Sequence, residues 1–141
     1  FMPTVYEDVA FGPLHRGCAP EEVERRADSV LRQLGIAHLS SRAPYHLSAG
    51  EKKRAALAGV LAMRPEVLIF DEPTTYLDPP GQRELAQLLL QLPQAKLIAT
   101  HDLWFARQVA HRAAFFREGR IAGVGSVDEI AEKFEWRLDA S

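Results

Sequence analysis

The sequence predicts an α/β fold: a helical segment followed by an incomplete, mainly parallel sheet flanked by helices. Three observations point there. Residues 1–46 carry helix starts, an apolar stripe of helical period and Gly/Pro breaks, with no strand-like run among them. Val67-Leu68-Ile69-Phe70 and Lys96-Leu97-Ile98-Ala99 are short and almost continuously apolar, the pattern of strands buried on both faces. A helical segment separates these two runs, and right-handed crossovers set strands joined in this way side by side and parallel.

Taken in order, Thr4-Val5-Tyr6-Glu7 has the spacing in which a hydroxyl and a carboxylate satisfy each other's backbone N–H groups at a helix start. A short helix through Ala10 is expected, ended by Gly12, Pro13 and Gly17. Pro20-Glu21-Glu22 opens an amphipathic helix. Its Val23, Ala27, Val30, Leu31 and Leu34 recur at helical spacing until Gly35 stops it. The capping spacing returns at Ser48-Ala49-Gly50-Glu51, starting a helix to Met63 with Ala55, Ala56, Leu57, Val60 and Leu61 inward and Lys52, Lys53 and Arg54 on a solvated face. After the first strand comes a helix from Gly81 to Leu92. After the second comes one from Leu103 to about Ala110. Ala113 to Arg117 and Ile121 to Val124, joined by Glu118-Gly119-Arg120, read as a hairpin, and Ser126-Val127-Asp128-Glu129 caps a last helix in 126–141.

Composition bounds the class. A chain of 141 residues with 47% apolar and 26% charged residues can build a real core. A formal net charge of -2 gives no electrostatic reason to expect nucleic-acid binding. The lone Cys18 cannot form an internal disulfide, no apolar run is long enough to span a bilayer, and no signal-peptide pattern opens the chain, so a cytoplasmic location is expected. A chain opening Phe1-Met2 reads as an excised or truncated piece.

Ligands of open α/β sheets gather at the carboxyl ends of the strands. Asp71-Glu72 follows the first strand directly and Thr100-His101-Asp102 follows the second. Adjacent carboxylates there suit a division of labour in which one organises hydrated Mg²⁺ and the other polarises an attacking water. A strand whose acidic end merely caps the next turn is the plainer account of that pair taken alone. Gly12-Pro13-Leu14-His15-Arg16-Gly17 has the two-glycine spacing of a phosphate loop, yet Cys18-Ala19 follow it and no strand precedes it. It is a false match. His15, His38, His46 and His111 lack metal-ligand spacing, and Trp104 and Phe105 are expected to fill the face of their helix. Trp136 is expected to pack the last helix or a partner.

The order Leu47-Ser48-Ala49-Gly50-Glu51, Val67-Leu68-Ile69-Phe70-Asp71-Glu72-Pro73, Thr74-Thr75-Tyr76-Leu77-Asp78-Pro79 and Thr100-His101-Asp102 resembles the C-terminal two-thirds of an ATP-binding-cassette ATPase. Signature, Walker B, D-loop and switch histidine follow in that order. Thr4 to Pro13 further resembles the segment after the Q-loop in energy-coupling-factor importers, which take up vitamins, cobalt or nickel. The resemblance implies a P-loop NTPase-like fold divided into residues 1–46 as part of the helical signature subdomain, 47–125 as the C-terminal part of the nucleotide-binding core, and 126–141 as a terminal helix. It implies ATP and Mg²⁺ as cofactors. Asp71 would hold the metal through water, Glu72 would orient or deprotonate the attacking water, and His101 would reach the γ-phosphate. Ser48, Gly50 and Glu51 would meet ATP held by a second ATPase subunit, and Asp78 would communicate across that dimer. Ala49, Glu51 and Tyr76 depart from the commoner glycine, glutamine and small residue.

No Gly-x-x-x-x-Gly-Lys-Ser/Thr cradle occurs in these residues, so this chain alone is expected to bind ATP weakly and hydrolyse it poorly. The function expected of the parent is ATP hydrolysis coupled to import of a metal ion or vitamin, with a membrane-embedded transporter subunit docked near residues 1–45 at the inner face of the membrane. Without the strand that leads into the cradle, exposed apolar edges are expected to drive oligomerisation or domain swapping of the fragment. Two other classes fit a half-site: the signature lobe of a coiled-coil chromosome or repair ATPase, and a non-catalytic half-domain that binds a partner ATPase. The segment before the signature has Gly and Pro breaks and no sustained heptads, which favours transport.

Overall fold

A computed structural model describes residues 2–136, so residues 137–141 of the expected last helix lie outside the described residues. The chain divides into two compact units between Val67 and Leu68.

The first unit is helical: α1 (Val5–His15), α2 (Pro20–Gln33) and α3 (Ala49–Ala62), with two single 3-10 turns at Ala37–Leu39 and Pro44–His46. Each of the three helices packs on the other two. Thr4 and Glu7 form the expected capping box, and loop carbonyls take up further N–H groups of the first turn: Val5 donates to Arg42 O and Tyr6 to Ser40 O, both at 2.9 Å. The expectation of a helix ending near Ala10 is wrong, because α1 runs through Gly12 and Pro13 to His15. Pro13 forfeits one backbone donor, but its ring is fully buried, and Gly12 lies where a Cβ would stand 2.4 Å from Met63 Sδ. Burial and close approach of α1 to α3 outweigh the local breaking tendency.

The false phosphate loop proves to be a helix ending. Gly17 takes φ +76° past the cap Arg16, Cys18 N–H reaches Pro13 O and Gly17 N–H reaches Leu14 O, the paired bonds of a Schellman motif. Gly35 ends α2 in the same way, through Ile36 N–H to Leu31 O and Gly35 N–H to Arg32 O. All five apolar positions read from the α2 stripe are buried. In α3 the inward face is Ala55, Leu57, Ala58, Leu61 and Ala62, whereas Ala56 and Val60 are exposed. A run this rich in alanine leaves the phase of the stripe undecided until a neighbour packs on it. Arg54 is likewise not on a solvated face: its guanidinium donates to Leu34 O at 3.2 Å across the unit.

The second unit holds β1 (Val67–Asp71), α4 (Pro79–Gln91), β2 (Ala95–Ala99), α5 (Leu103–Val109), β3 (Ala113–Arg117), β4 (Arg120–Gly125) and α6 (Val127–Lys133). β1 pairs with β2, and Glu72 N–H just beyond β1 donates to Ala99 O at the end of β2. Both carboxyl ends therefore lie together, and the two strands run parallel, as expected. Burial on both faces does not hold: Leu68 is 2% exposed while Ile69 is 75% exposed, and Leu97 on β2 is 63% exposed. The alternation of a pleated strand puts one face of this two-stranded sheet outward. β3 and β4 form the hairpin, with Glu118 and Gly119 both at positive φ as a two-residue primed turn requires, and a bulge between Phe115 and Phe116. α6 closes on this hairpin. Phe134 stacks on Phe115 at 4.2 Å between ring centres, and Gly123 leaves room for it, since a Cβ there would stand 2.7 Å from the Phe134 ring. Among the described residues no helix is long and apolar enough to cross a membrane.

Candidate functional site

Glu72 is the residue around which the second unit's polar cluster is built. It sits at φ +43°, in the left-handed region that a residue with a side chain occupies at a cost of order 1 kcal/mol. Its N–H still continues the strand ladder to Ala99 O, so the unusual φ turns the chain without unpairing it. The carboxylate then lies over the end of β2. Oε1 accepts His101 N–H at 3.0 Å, Oε2 meets His101 Nδ1 at 2.8 Å, and Thr100 Oγ1 donates to Oε2 at 3.4 Å. Thr100 Oγ1 also accepts Asp102 N–H at 3.0 Å, and Asp102 in turn caps α5 by accepting Phe105 N–H at 2.9 Å. One chain of bonds thus links the strand-end carboxylate to the start of the following helix.

The electrostatics of the pair follow from its geometry. With the proton on Nδ1 directed at Glu72, Nε2 accepts in the neutral ring and donates in the charged one. The pair stays open to ligand: His101 is 76% exposed at its side chain and Glu72 36%.

Asp71, the last residue of β1, is exposed. Beyond it, Thr74 is buried, Leu77 N–H bonds to Thr74 O, and Asp78 accepts Gly81 N–H at 3.0 Å as the N-cap of α4. Tyr76 is at φ +65° with its ring almost wholly in solvent, so its bulk meets no protein interior.

Ser48, Gly50 and Glu51 belong to the other compact unit. Glu51 Oε2 accepts Ser48 N–H at 2.8 Å while Ser48 Oγ accepts Glu51 N–H at 3.3 Å, the reciprocal bonds predicted. Gly50 has no atom within 4 Å of where a Cβ would stand and no positive φ, so neither packing nor backbone conformation explains a glycine there. The bond from Ser48 N–H, then that from the Ser48 hydroxyl, holds the Glu51 carboxyl below its ordinary value of 4.5. A lowered folded-state value means that the box stabilises above the unfolded value and loses its contribution as pH falls through the folded one. Helicity followed by circular dichroism from pH 7 to pH 3 is expected to decline in that window, and less so in Glu51→Gln.

The structure therefore brings Glu72, Thr100, His101 and Asp102 together, with Asp71 adjacent in sequence. Sequence reasoning gave Thr100 no role of its own. The Thr-x-Asp spacing, in which a hydroxyl takes the N–H two residues on, was the available signal. Trp136, whose indole donates to His101 O, carried no such signal because the contact joins residues 35 apart in sequence.

This fold is that of an ABC-type ATPase. The solved structure of CbiO1 from Clostridium perfringens, part of the ABC transporter complex CbiONQ, matches with a TM-score of 0.85 and 39% identity, over 96% of this chain and 55% of that one. The chain belongs to the ABC transporter family, whose profile matches residues 2–75. It is 49% identical over 130 residues to a Geobacter sulfurreducens protein that carries the provisional name of ABC transporter ATP-binding protein GSU1281, covering 92% of this chain and 52% of that relative. It is 44% identical over 133 residues to the energy-coupling factor transporter ATP-binding protein EcfA of Methanothermobacter thermautotrophicus, covering 92% of this chain and 43% of that relative. The chain spans about half the length of these curated relatives.

Proposed function

We propose that this chain is the signature-to-switch part of an ATP-hydrolysing subunit that powers an energy-coupling-factor type importer for a metal ion or vitamin. The observation that carries this reading is the Glu72–His101 pair, a strand-end carboxylate bonded to the backbone and ring of a residue two positions beyond the neighbouring strand. Likeness to EcfA and to CbiO1 supports the importer class.

In this mechanism Glu72 accepts a proton from, or aligns, the water that attacks the γ-phosphate. The same carboxylate orients the His101 ring through Nδ1, which leaves Nε2 to meet a phosphate oxygen. Thr100 and the Asp102 cap keep the turn that carries His101 rigid, so little reorganisation is left for the moment of reaction. The residues present fit Mg²⁺. Asp71 offers one exposed carboxylate, and among the described residues no group of three or more His, Cys, Asp or Glu side chains converges as an all-protein cage would need. A single carboxylate is what this cation takes when waters and phosphates fill its remaining positions. Bound there, Mg²⁺ would neutralise charge on the β- and γ-phosphate oxygens.

Ser48 and Gly50 present a helix N-terminus, with its first-turn N–H groups and positive dipole end, to ATP held by a second ATPase subunit. Glu51 holds that turn closed and Asp78 faces the same dimer. The membrane-embedded subunit docks on the helical unit, which places the protein at the cytoplasmic face of the membrane.

Gly50→Ala in the intact gene product tests this. A glycine in a helix costs roughly 0.5–1 kcal/mol against alanine, and the site has room, so thermal stability is expected to hold or rise. ATP turnover, measured by phosphate release, is expected to fall at least about tenfold, because a new methyl group stands where the backbone must approach a phosphate. Turnover that rises or holds along with stability would remove the signature role.

A further inference from the structure

The C-terminal helix of the second unit does more than cover the hairpin. α6 ends in a Schellman motif: Phe134 is its cap, Glu135 takes φ +56°, Trp136 N–H bonds to Ala131 O at 2.9 Å and Glu135 N–H to Glu132 O at 3.4 Å. This turn reverses the chain and lays the Trp136 ring against Leu103, Ala106, Val127 and Ala131, the apolar seam between α5 and α6. Arg107 on α5 and Asp128 on α6 pair at 2.8 Å beside the same seam. With the ring so held, the indole Nε1–H donates to His101 O at 2.7 Å. His101 is thereby gripped at both of its backbone polar groups, by Glu72 at the N–H and by Trp136 at the C=O, which belong to the two peptides flanking it.

Neither grip is needed for packing alone. A tryptophan that merely fills the seam needs its ring, not a donor directed at the backbone of one polar, exposed residue. His101 O lies just before the cap of α5, where a carbonyl would otherwise turn to solvent, so a fixed donor there selects one orientation of the 101–102 peptide and with it the direction of the His101 side chain.

We propose, resting on the role given to His101 above, that Trp136 is a positioning residue for the hydrolytic centre: its indole N–H locks the His101 peptide so that the imidazole stays on Glu72 and directed at nucleotide. The last helix then acts as the strut that carries this lock, joined to the hairpin by the Phe134–Phe115 stack. ATP affinity is expected to depend little on the lock, because the indole N–H of Trp136 meets His101 at its backbone carbonyl and bonds to neither Asp71 nor Glu72.

The test is Trp136→Phe in the intact gene product, which keeps a ring in the seam and removes the donor. Loss of one such bond is worth about 1 kcal/mol and up to about 1.5, so kcat for ATP is expected to fall roughly five- to tenfold with KM within about twofold. His101 ring signals in a nitrogen-15 correlation spectrum are expected to move away from their wild-type positions, with the melting temperature within a few degrees. Trp136→Ala should lose stability as well, which separates packing from positioning. Either unmoved His101 signals, or unchanged kcat in an active enzyme, would overturn the proposal. An intact protein that hydrolyses no ATP, yet whose His101 signals move in Trp136→Phe, would remove the proposed function while leaving the lock in place.

Discussion

Glu72→Gln is expected to cut ATP turnover of the intact protein by about 10²–10³-fold while leaving ATP binding nearly intact. The amide keeps an oxygen that can accept His101 N–H and occupies the same volume, so the turn at φ +43° should survive. What it lacks is charge and basicity. It cannot take a proton from water, and it puts a neutral amide in place of the charged acceptor at the 2.8 Å contact with His101 Nδ1. Two consequences separate this from simple damage: nucleotide affinity by equilibrium binding should be unchanged within a few-fold, and ATP-bound dimers should persist in sedimentation because hydrolysis no longer reopens them. Wild-type turnover in this variant would mean that Glu72 is only a strand-end cap, the plain account of an acidic pair after a strand.

Phe105→Ala is expected to destabilise the second unit by about 3–5 kcal/mol, a large part of the 5–15 kcal/mol that holds a typical domain folded. Phe105 is fully buried, so its loss leaves a cavity that a close-packed core closes only in part. Urea unfolding followed by fluorescence gives the value. The same residue supplies the N–H that Asp102 caps, so the turn from Thr100 to Asp102 should loosen before the unit melts. Turnover is then expected to fall at temperatures well below the midpoint. A loss under about 1 kcal/mol would show that the core around Phe105 has repacked into the gap.

Much of this molecule was readable in advance, and the reasons are local. Three Ser/Thr-x-x-Glu starts, at Thr4, Ser48 and Ser126, all became capping boxes, because each is settled by bonds within one helical turn. The α2 stripe was legible because its apolar period is unambiguous, and the two strands because each is a short, almost continuously apolar run. The end of α1 was not, since Gly12 and Pro13 break a helix in isolation and only Met63 and the buried face of α1 show why this one continues. The α3 face was ambiguous for a related reason: alanines carry too little apolar contrast to mark a phase.

At the site the same division holds. Glu72 and His101 were identified from motifs and strand ends, whereas Thr100 and Trp136 joined them only through contacts between segments distant in sequence. By itself the sequence determined the element types, the caps, the strand-end position of the acidic pair and the family resemblance, because these depend on propensity, spacing and bonds between near neighbours. Tertiary structure alone decided which face of the β1–β2 pair is covered, that α1 passes through its proline, and that an indole from the last helix grips the His101 peptide. Those outcomes depend on which surfaces meet across the folded chain, and burial there outweighs local preferences worth a kcal/mol or so each.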